Sequence, residues 1–185
     1  MSNDKKEDSS WSRKDINILE YLWATSIFST KNSKNIPFLL KKVDLFEDFS
    51  EVELNDLIEF IHFRNYSPNE KIFSKGESGI GFYILLSGRV LICNDEENED
   101  KGVDIIPSMY FGERNLLSSK SKRQISATAK DSSVLAAILS PDLDNLIEKK
   151  PRIAAKLILS LAKFSLRRLD EIESALGNSG NSRNG

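Results

Sequence analysis

Between Phe63 and Leu139 the chain breaks into short apolar runs rich in Phe, Ile, Tyr and Val, cut by Pro68, Gly76, Gly79, Gly81, Gly88, Gly102, Pro107 and Gly112. Aromatic and β-branched residues suit pleated strands, and Gly and Pro at such intervals open the turns between them. The pattern predicts strands over Lys71–Ser74, Phe82–Leu86, Arg89–Asn94, Val103–Ile106, Ser126–Lys130 and Ser133–Leu139. Short strands in this number specify an antiparallel barrel or roll. The acidic stretch from Asp95 to Lys101 reads as a solvated hairpin loop.

Helical patterns flank this region. Ile16, Leu19, Trp23 and Ile27 recur at three- and four-residue steps and predict an amphipathic helix within Arg13–Phe28. Pro37–Lys42 suits a helical turn. Ser50 with Glu53 forms a capping box, after which Leu54, Leu57, Ile58 and Ile61 give a buried stripe for a helix ending near His62. Ser140 before Pro141 predicts a capped helix to Glu148, and Pro151 opens a longer one to Leu176. Along it Ile153, Leu157, Ile158, Leu161, Ala162, Phe164, Leu169, Ile172 and Leu176 make two adjoining apolar stripes. That width suits either a second client, a partner subunit or a movable lid, or equally a broader core contact.

The expected class is α+β, mainly β: a barrel or jelly roll of about eight strands with N-terminal helices and a C-terminal short-plus-long helix pair. The divisions are a polar tail over 1–10, a helical segment over 11–62, the barrel over 63–139, the C-terminal helices over 140–176 and a second polar tail over 177–185.

A chain of 185 residues has room for one domain and its core. Its 26 basic and 28 acidic residues give a net charge of -2, which argues against a surface built for nucleic acid. One cysteine, Cys93, and one histidine, His62, exclude an intrachain disulfide or a Cys/His metal cluster. The polar start is no secretory signal, and no apolar stretch reaches the roughly 20 residues of a membrane span, so a cytoplasmic setting is expected. Catalysis is not expected, because no nucleophile and base pair, metal set or phosphate-loop motif stands out.

Two segments carry a likeness. The first runs Gly76-Glu77-Ser78-Gly79-Ile80-Gly81-Phe82-Tyr83-Ile84-Leu85-Leu86-Ser87-Gly88, a glycine turn, an aromatic strand and a Ser-Gly turn. The second runs Tyr110-Phe111-Gly112-Glu113-Arg114-Asn115-Leu116-Leu117, with Arg123 ten positions after Glu113 and Ser126-Ala127-Thr128-Ala129 beyond it. Together with the element order, they resemble the cyclic-nucleotide-binding family over Phe38–Leu176, including the sensor domain of bacterial catabolite regulators and of cyclic-AMP-dependent kinase regulatory subunits.

The resemblance implies a phosphate-binding cassette over 110–123. Within it Phe111, Gly112, Glu113, Arg114, Asn115, Leu116, Arg123 and Gln124 are the expected ligand-binding residues. Arg123 would fork to the phosphate oxygens, Gly112 would let the backbone approach, and Glu113 would accept the ribose 2′-hydroxyl. The family usually places a small residue where Asn115 stands. Gln124 follows the arginine where guanine binders often carry Ser or Thr, so cyclic AMP is the expected ligand, with cyclic GMP second; neither needs a metal or cofactor. Ser160, Lys163 and Ser165 are candidates to reach the base edge.

The resembled gene regulators carry a DNA-reading module after the long helix, and Gly185 leaves no room for one, so direct DNA binding is not expected. The output would pass through the last helix to an effector protein or a second copy of the chain. The other function open to such a sequence is an interaction scaffold that keeps the fold and binds no nucleotide.

Overall fold

Long strands apolar at nearly every position need cover on both faces, because successive side chains point to opposite sides of a sheet. In the computed structural model, which describes residues 36–94, 101–117 and 122–181, eight strands supply that arrangement. They are β1 (His62–Tyr66), β2 (Lys71–Phe73), β3 (Gly81–Ser87), β4 (Val90–Cys93), β5 (Val103–Ile105), β6 (Tyr110–Phe111), β7 (Ser126–Ala129) and β8 (Ser133–Leu139). Two four-stranded antiparallel sheets form, ordered β1-β8-β3-β6 and β2-β7-β4-β5, and they face each other without closing into one barrel. This is the expected jelly roll.

The first sheet is covered on both sides. Phe82, Ile84 and Leu86 of β3 and Val134, Ala136 and Ile138 of β8 face a large core shared with the helices. Leu85 and Leu135 point the other way, into a smaller core between the sheets with Phe73, Val90, Ile105 and Phe111. Strand β6 divides likewise: Tyr110 joins the helical core and Phe111 the inter-sheet core.

The helices are α1 (Ile36–Leu40), a 3-10 turn at Asp44–Phe46, α2 (Glu51–Ile58), α3 (Glu113–Leu117), α4 (Ser140–Lys149) and α5 (Pro151–Asn181). The capping box forms as expected, with Ser50 N–H donating to Glu53 at 2.7 Å and Glu53 N–H donating to Ser50 Oγ at 3.3 Å. Helix α2 stops at Ile58, short of His62, which instead opens β1.

Ser140 differs from expectation. It is the first residue of α4, and its hydroxyl donates to the Ile80 carbonyl at 3.0 Å, while the Asp142 carboxylate accepts from Leu139 N–H at 3.1 Å. A tertiary acceptor has displaced the local cap. Lys150 separates α4 from α5 with φ -137° and ψ 60°, the break expected at this point. Helix α5 continues past Leu176 to Asn181.

Ile153, Leu157 and Leu161 of α5 are buried in the large core, with Ile158 and Phe164 packed against it. Ala155, Leu159, Ala162, Leu166 and Leu169 form an exposed stripe on another face, so Leu169 and Ala162 do not share the buried one. Ion pairs tie α5 and the residue before it to α2 and its approach: Lys150 to Asp56 at 3.1 Å, Lys156 to Glu53 at 2.8 Å and Lys163 to Asp48 at 3.2 Å. The helix predicted within Arg13–Phe28, both terminal tails in whole or part, most of the acidic loop, and the side chains of Ile172 and Leu176 lie outside the described residues.

Candidate functional site

The two glycine-marked segments meet at Arg123. Gly76 N–H donates to the Arg123 carbonyl and Arg123 N–H donates to the Glu77 carbonyl, each at 2.8 Å, with an antiparallel bridge between Ser78 and Lys122 alongside. The turn clamps the backbone and leaves the side chain inside, only 4% of the residue being exposed. Its guanidinium lies 4.0 Å from the Phe73 ring centroid and 5.5 Å from that of Tyr83, both within cation–π range.

Arg123 Nη1 donates to Asn115 Oδ1 at 2.9 Å and to the Gly112 carbonyl at 3.5 Å, both neutral acceptors. Among the described residues no carboxylate forms an ion pair with it. Burial pushes its pKa down, opposed in part by Tyr83 and Glu77. A desolvated cation with neutral partners costs folding energy, and the same low dielectric strengthens its attraction for an anion.

Gly112 cannot be replaced cheaply. Its φ is +82°, and a Cβ there would lie 2.6 Å from Arg123 Nη1. Gly79 serves the site from the other segment, since any Cβ on it would collide with the Asn115 side chain. The glycine turn is therefore part of the site as well as of the fold.

These residues surround a cavity of about 150 Å³. Phe73, Ile92, Phe111 and Ile125 give it apolar walls; Gly112, Glu113, Arg114, Asn115, Arg123 and Gln124 give it a polar end; and Arg168 reaches it from α5. One carboxylate and three guanidiniums leave a positive excess. Of the expected ligand-binding residues, Leu116 alone stands apart: it is buried in the helical core behind the cavity.

The expected base-reading positions are not at this cavity. Ser160 is buried, Lys163 pairs with Asp48 at 3.2 Å, and Ser165 Oγ donates to the Leu161 carbonyl at 3.0 Å. Sequence reasoning missed Phe73, Ile92 and Ile125, whose inward positions depend on strand register, and Arg168, whose Nη1 donates to Glu113 Oε1 at 3.1 Å. Nothing in the local sequence marks Arg168 apart from its neighbour Arg167. Among the described residues no group of His, Cys, Asp and Glu could hold a metal.

Residues 63–150, a little under half the chain, match the cyclic nucleotide-binding domain family. This segment is a cyclic nucleotide-binding domain. The cyclic AMP receptor protein of Thermus thermophilus is 28% identical over 126 residues, which span 67% of this chain and 58% of that protein. The cAMP-dependent protein kinase regulatory subunit of Yarrowia lipolytica is 30% identical over 122 residues, 60% of this chain and 32% of that one. The crystal structure of Thermus thermophilus catabolite activator protein has the same fold, with a TM-score of 0.61 at 26% identity, covering 74% of this chain and 63% of that chain. The match thus takes in little more than half of the first relative and a third of the second. Of the residues lining the cavity, Arg123, Glu113 and the others lie within the matched domain, and Arg168 lies beyond it.

Proposed function

We propose that this chain binds a cyclic nucleotide, cyclic AMP in preference to cyclic GMP, and passes the bound state to a separate protein through its C-terminal helix. The observation that carries the reading is Arg123: a buried guanidinium with neutral partners, beside Glu113, in a positively charged cavity with apolar walls. A cyclic nucleotide offers one phosphodiester charge, a ribose hydroxyl and a flat apolar base, and each has a matching group here. Arg123 forks to the phosphate, Gly112 lets the backbone close in, and Glu113 accepts from the 2′-hydroxyl. Phe111, Arg114, Asn115 and Gln124 line the same space, with Leu116 supporting the cassette from behind. The preference for cyclic AMP rests on Gln124 next to the arginine.

The role is regulatory: the ligand is a signal, not a substrate, and needs no metal. The setting is cytoplasmic, and no helix among the described residues is long and apolar enough to cross a membrane. The exposed stripe Ala155, Leu159, Ala162, Leu166 and Leu169 on α5 is the face offered to an effector or to a second copy.

The test is calorimetric titration with cyclic AMP and cyclic GMP. Arg123→Ala should weaken binding by about 1.5–3 kcal/mol, roughly ten- to 150-fold, and Arg123→Lys should rescue only in part. Glu113→Ala and a 2′-deoxy ligand should give losses that do not add, because they remove the same contact. Binding of neither nucleotide would leave the fold as an interaction scaffold, and equal affinity in Arg123→Ala would remove the phosphate assignment.

A further inference from the structure

Arg123 meets the cavity with one arm already engaged. Asn115 is itself only 4% exposed, and its Oδ1 accepts from Arg123 Nη1 at 2.9 Å, eight residues away in the chain. The Gly112 carbonyl accepts from the same nitrogen at 3.5 Å. The arginine has little freedom to find another arrangement. Its backbone is clamped through both N–H and carbonyl by the glycine turn, and the rings of Phe73 and Tyr83 stand 4.0 Å and 5.5 Å from its guanidinium. An anion must therefore come to the guanidinium where it stands, and it finds Nη1 occupied.

The place of the Asn115 amide is built into both segments of the site. Asn115 N–H donates to the Gly112 carbonyl at 3.0 Å, which fixes the residue in the short helix α3. A Cβ on Gly79 would collide with Asn115 Cγ and lie 2.5 Å from its Nδ2, so the glycine turn leaves room for this side chain. Asn115, Gly112 and Arg123 all line the cavity, so the amide and an entering anion approach the cation through the same space.

We propose that Asn115 is an internal competitor for Arg123: its amide oxygen stands where a phosphate oxygen of the nucleotide goes, and the ligand binds by taking Nη1 from it. The proposal rests on Arg123 as the phosphate anchor. A phosphate that forks to both terminal nitrogens needs Nη1, and an anion is a stronger acceptor for a guanidinium than a neutral amide is. The exchange goes forward, but the lost amide bond is subtracted from the affinity. Asn115 thus sets the nucleotide concentration to which the chain responds. Without ligand, the same amide eases the burial of a cation that has no carboxylate partner among the described residues.

Calorimetric titration with cyclic AMP tests the exchange with two variants that act in opposite directions. Asn115→Ala removes the competitor and should bind roughly three- to tenfold more tightly, water replacing part of the lost bond. Asn115→Asp keeps the shape and turns the competitor into an anion. It should bind at least about tenfold more weakly, while the ligand-free protein melts at a higher temperature than wild type near neutral pH. Damage to the fold does not produce that combination. In an Arg123→Ala background, Asn115→Ala should bring no gain, because no cation remains to compete for. Equal or weaker binding by Asn115→Ala overturns the proposal; the first shows that the phosphate takes another edge of the guanidinium, the second that Asn115 positions the arginine. So does an Asn115→Asp protein that binds as well as wild type or melts no higher, or a gain from Asn115→Ala that persists without Arg123. Binding of cyclic AMP by none of these proteins defeats the ligand reading and the competition with it, an outcome distinct from wild-type binding that Asn115→Ala fails to improve.

Discussion

Protonating Glu53 should loosen α5 from α2, and the structure sets both the pH window and the size. Glu53 accepts from Lys156 Nζ at 2.8 Å and 3.0 Å and from Ser50 N–H at 2.7 Å. Those hydrogen bonds, Lys156 first, lower its pKa from 4.5 to about 2, against a smaller opposing effect of burial. A carboxylate whose folded pKa is depressed contributes stability that is present above 4.5 and lost as pH falls toward 2. Taken at face value, about 2.5 pH units at 1.36 kcal/mol each would give roughly 3.4 kcal/mol. Both side chains are 30% exposed, so solvent screening reduces this to about 1 kcal/mol. Glu53→Gln tests the charge alone, because Gln can also serve at this position of a capping box. Urea unfolding should place the variant about 1 kcal/mol below wild type near pH 6, with the gap closing by about pH 2. A gap that stays constant over that range, or widens in acid, would refute the assignment of the stabilisation to the Glu53 carboxylate.

Gly112→Ala should cost about 1–3 kcal/mol in urea unfolding, since the new Cβ must adopt φ +82° against Arg123 Nη1, and titration should show weakened nucleotide binding with it. Asn115→Ala removes the nearer of the two neutral acceptors from Arg123 and should lower stability by about 1.5–3 kcal/mol, with saturating cyclic AMP raising its thermal midpoint more than that of wild type. Leu157→Ala, at a fully buried position, should cost about 2–5 kcal/mol by the same unfolding assay.

The jelly roll was legible because its central strands carry their own signal. Strands β3 and β8 are apolar at nearly every position, and the glycines between runs have few other uses. Strand β1 was not seen: His62-Phe63-Arg64-Asn65-Tyr66 has one buried residue, Tyr66, and pairs only along the edge of its sheet. Strand β6 is two residues long, too short for any period to show. The capping box at Ser50 was legible because both partners lie within one turn. The cap expected of Ser140 failed for the opposite reason: the carbonyl that takes its hydroxyl belongs to Ile80, 60 residues away. The cassette residues were legible as a cluster, since most are consecutive. Arg168 depends on how a helix docks, and sequence spacing carries no measure of that.

The adjacency of Tyr110 and Phe111 makes a chain of contacts from cavity to helix physically short. Because side chains alternate along a strand, Phe111 lines the cavity beside Phe73, at 6.0 Å, and stacks on Tyr83 at 5.5 Å, while Tyr110 faces α5 with Phe164 at 4.6 Å. Both rings ride on one pair of residues, held to β3 through Tyr83 and Ile84. The next residues are Gly112, whose backbone abuts Arg123, and Glu113, which holds Arg168. Four consecutive positions thus touch the cavity walls, the buried cation, the last helix and its ion pair. A ligand that drew Gly112 toward Arg123 by even a fraction of an ångström would carry Tyr110 with it, because close-packed neighbours transmit strain instead of absorbing it. The ring of Phe164 would then shift on Tyr110. The contacts that Phe164 and Arg168 make with this segment would change in the same step.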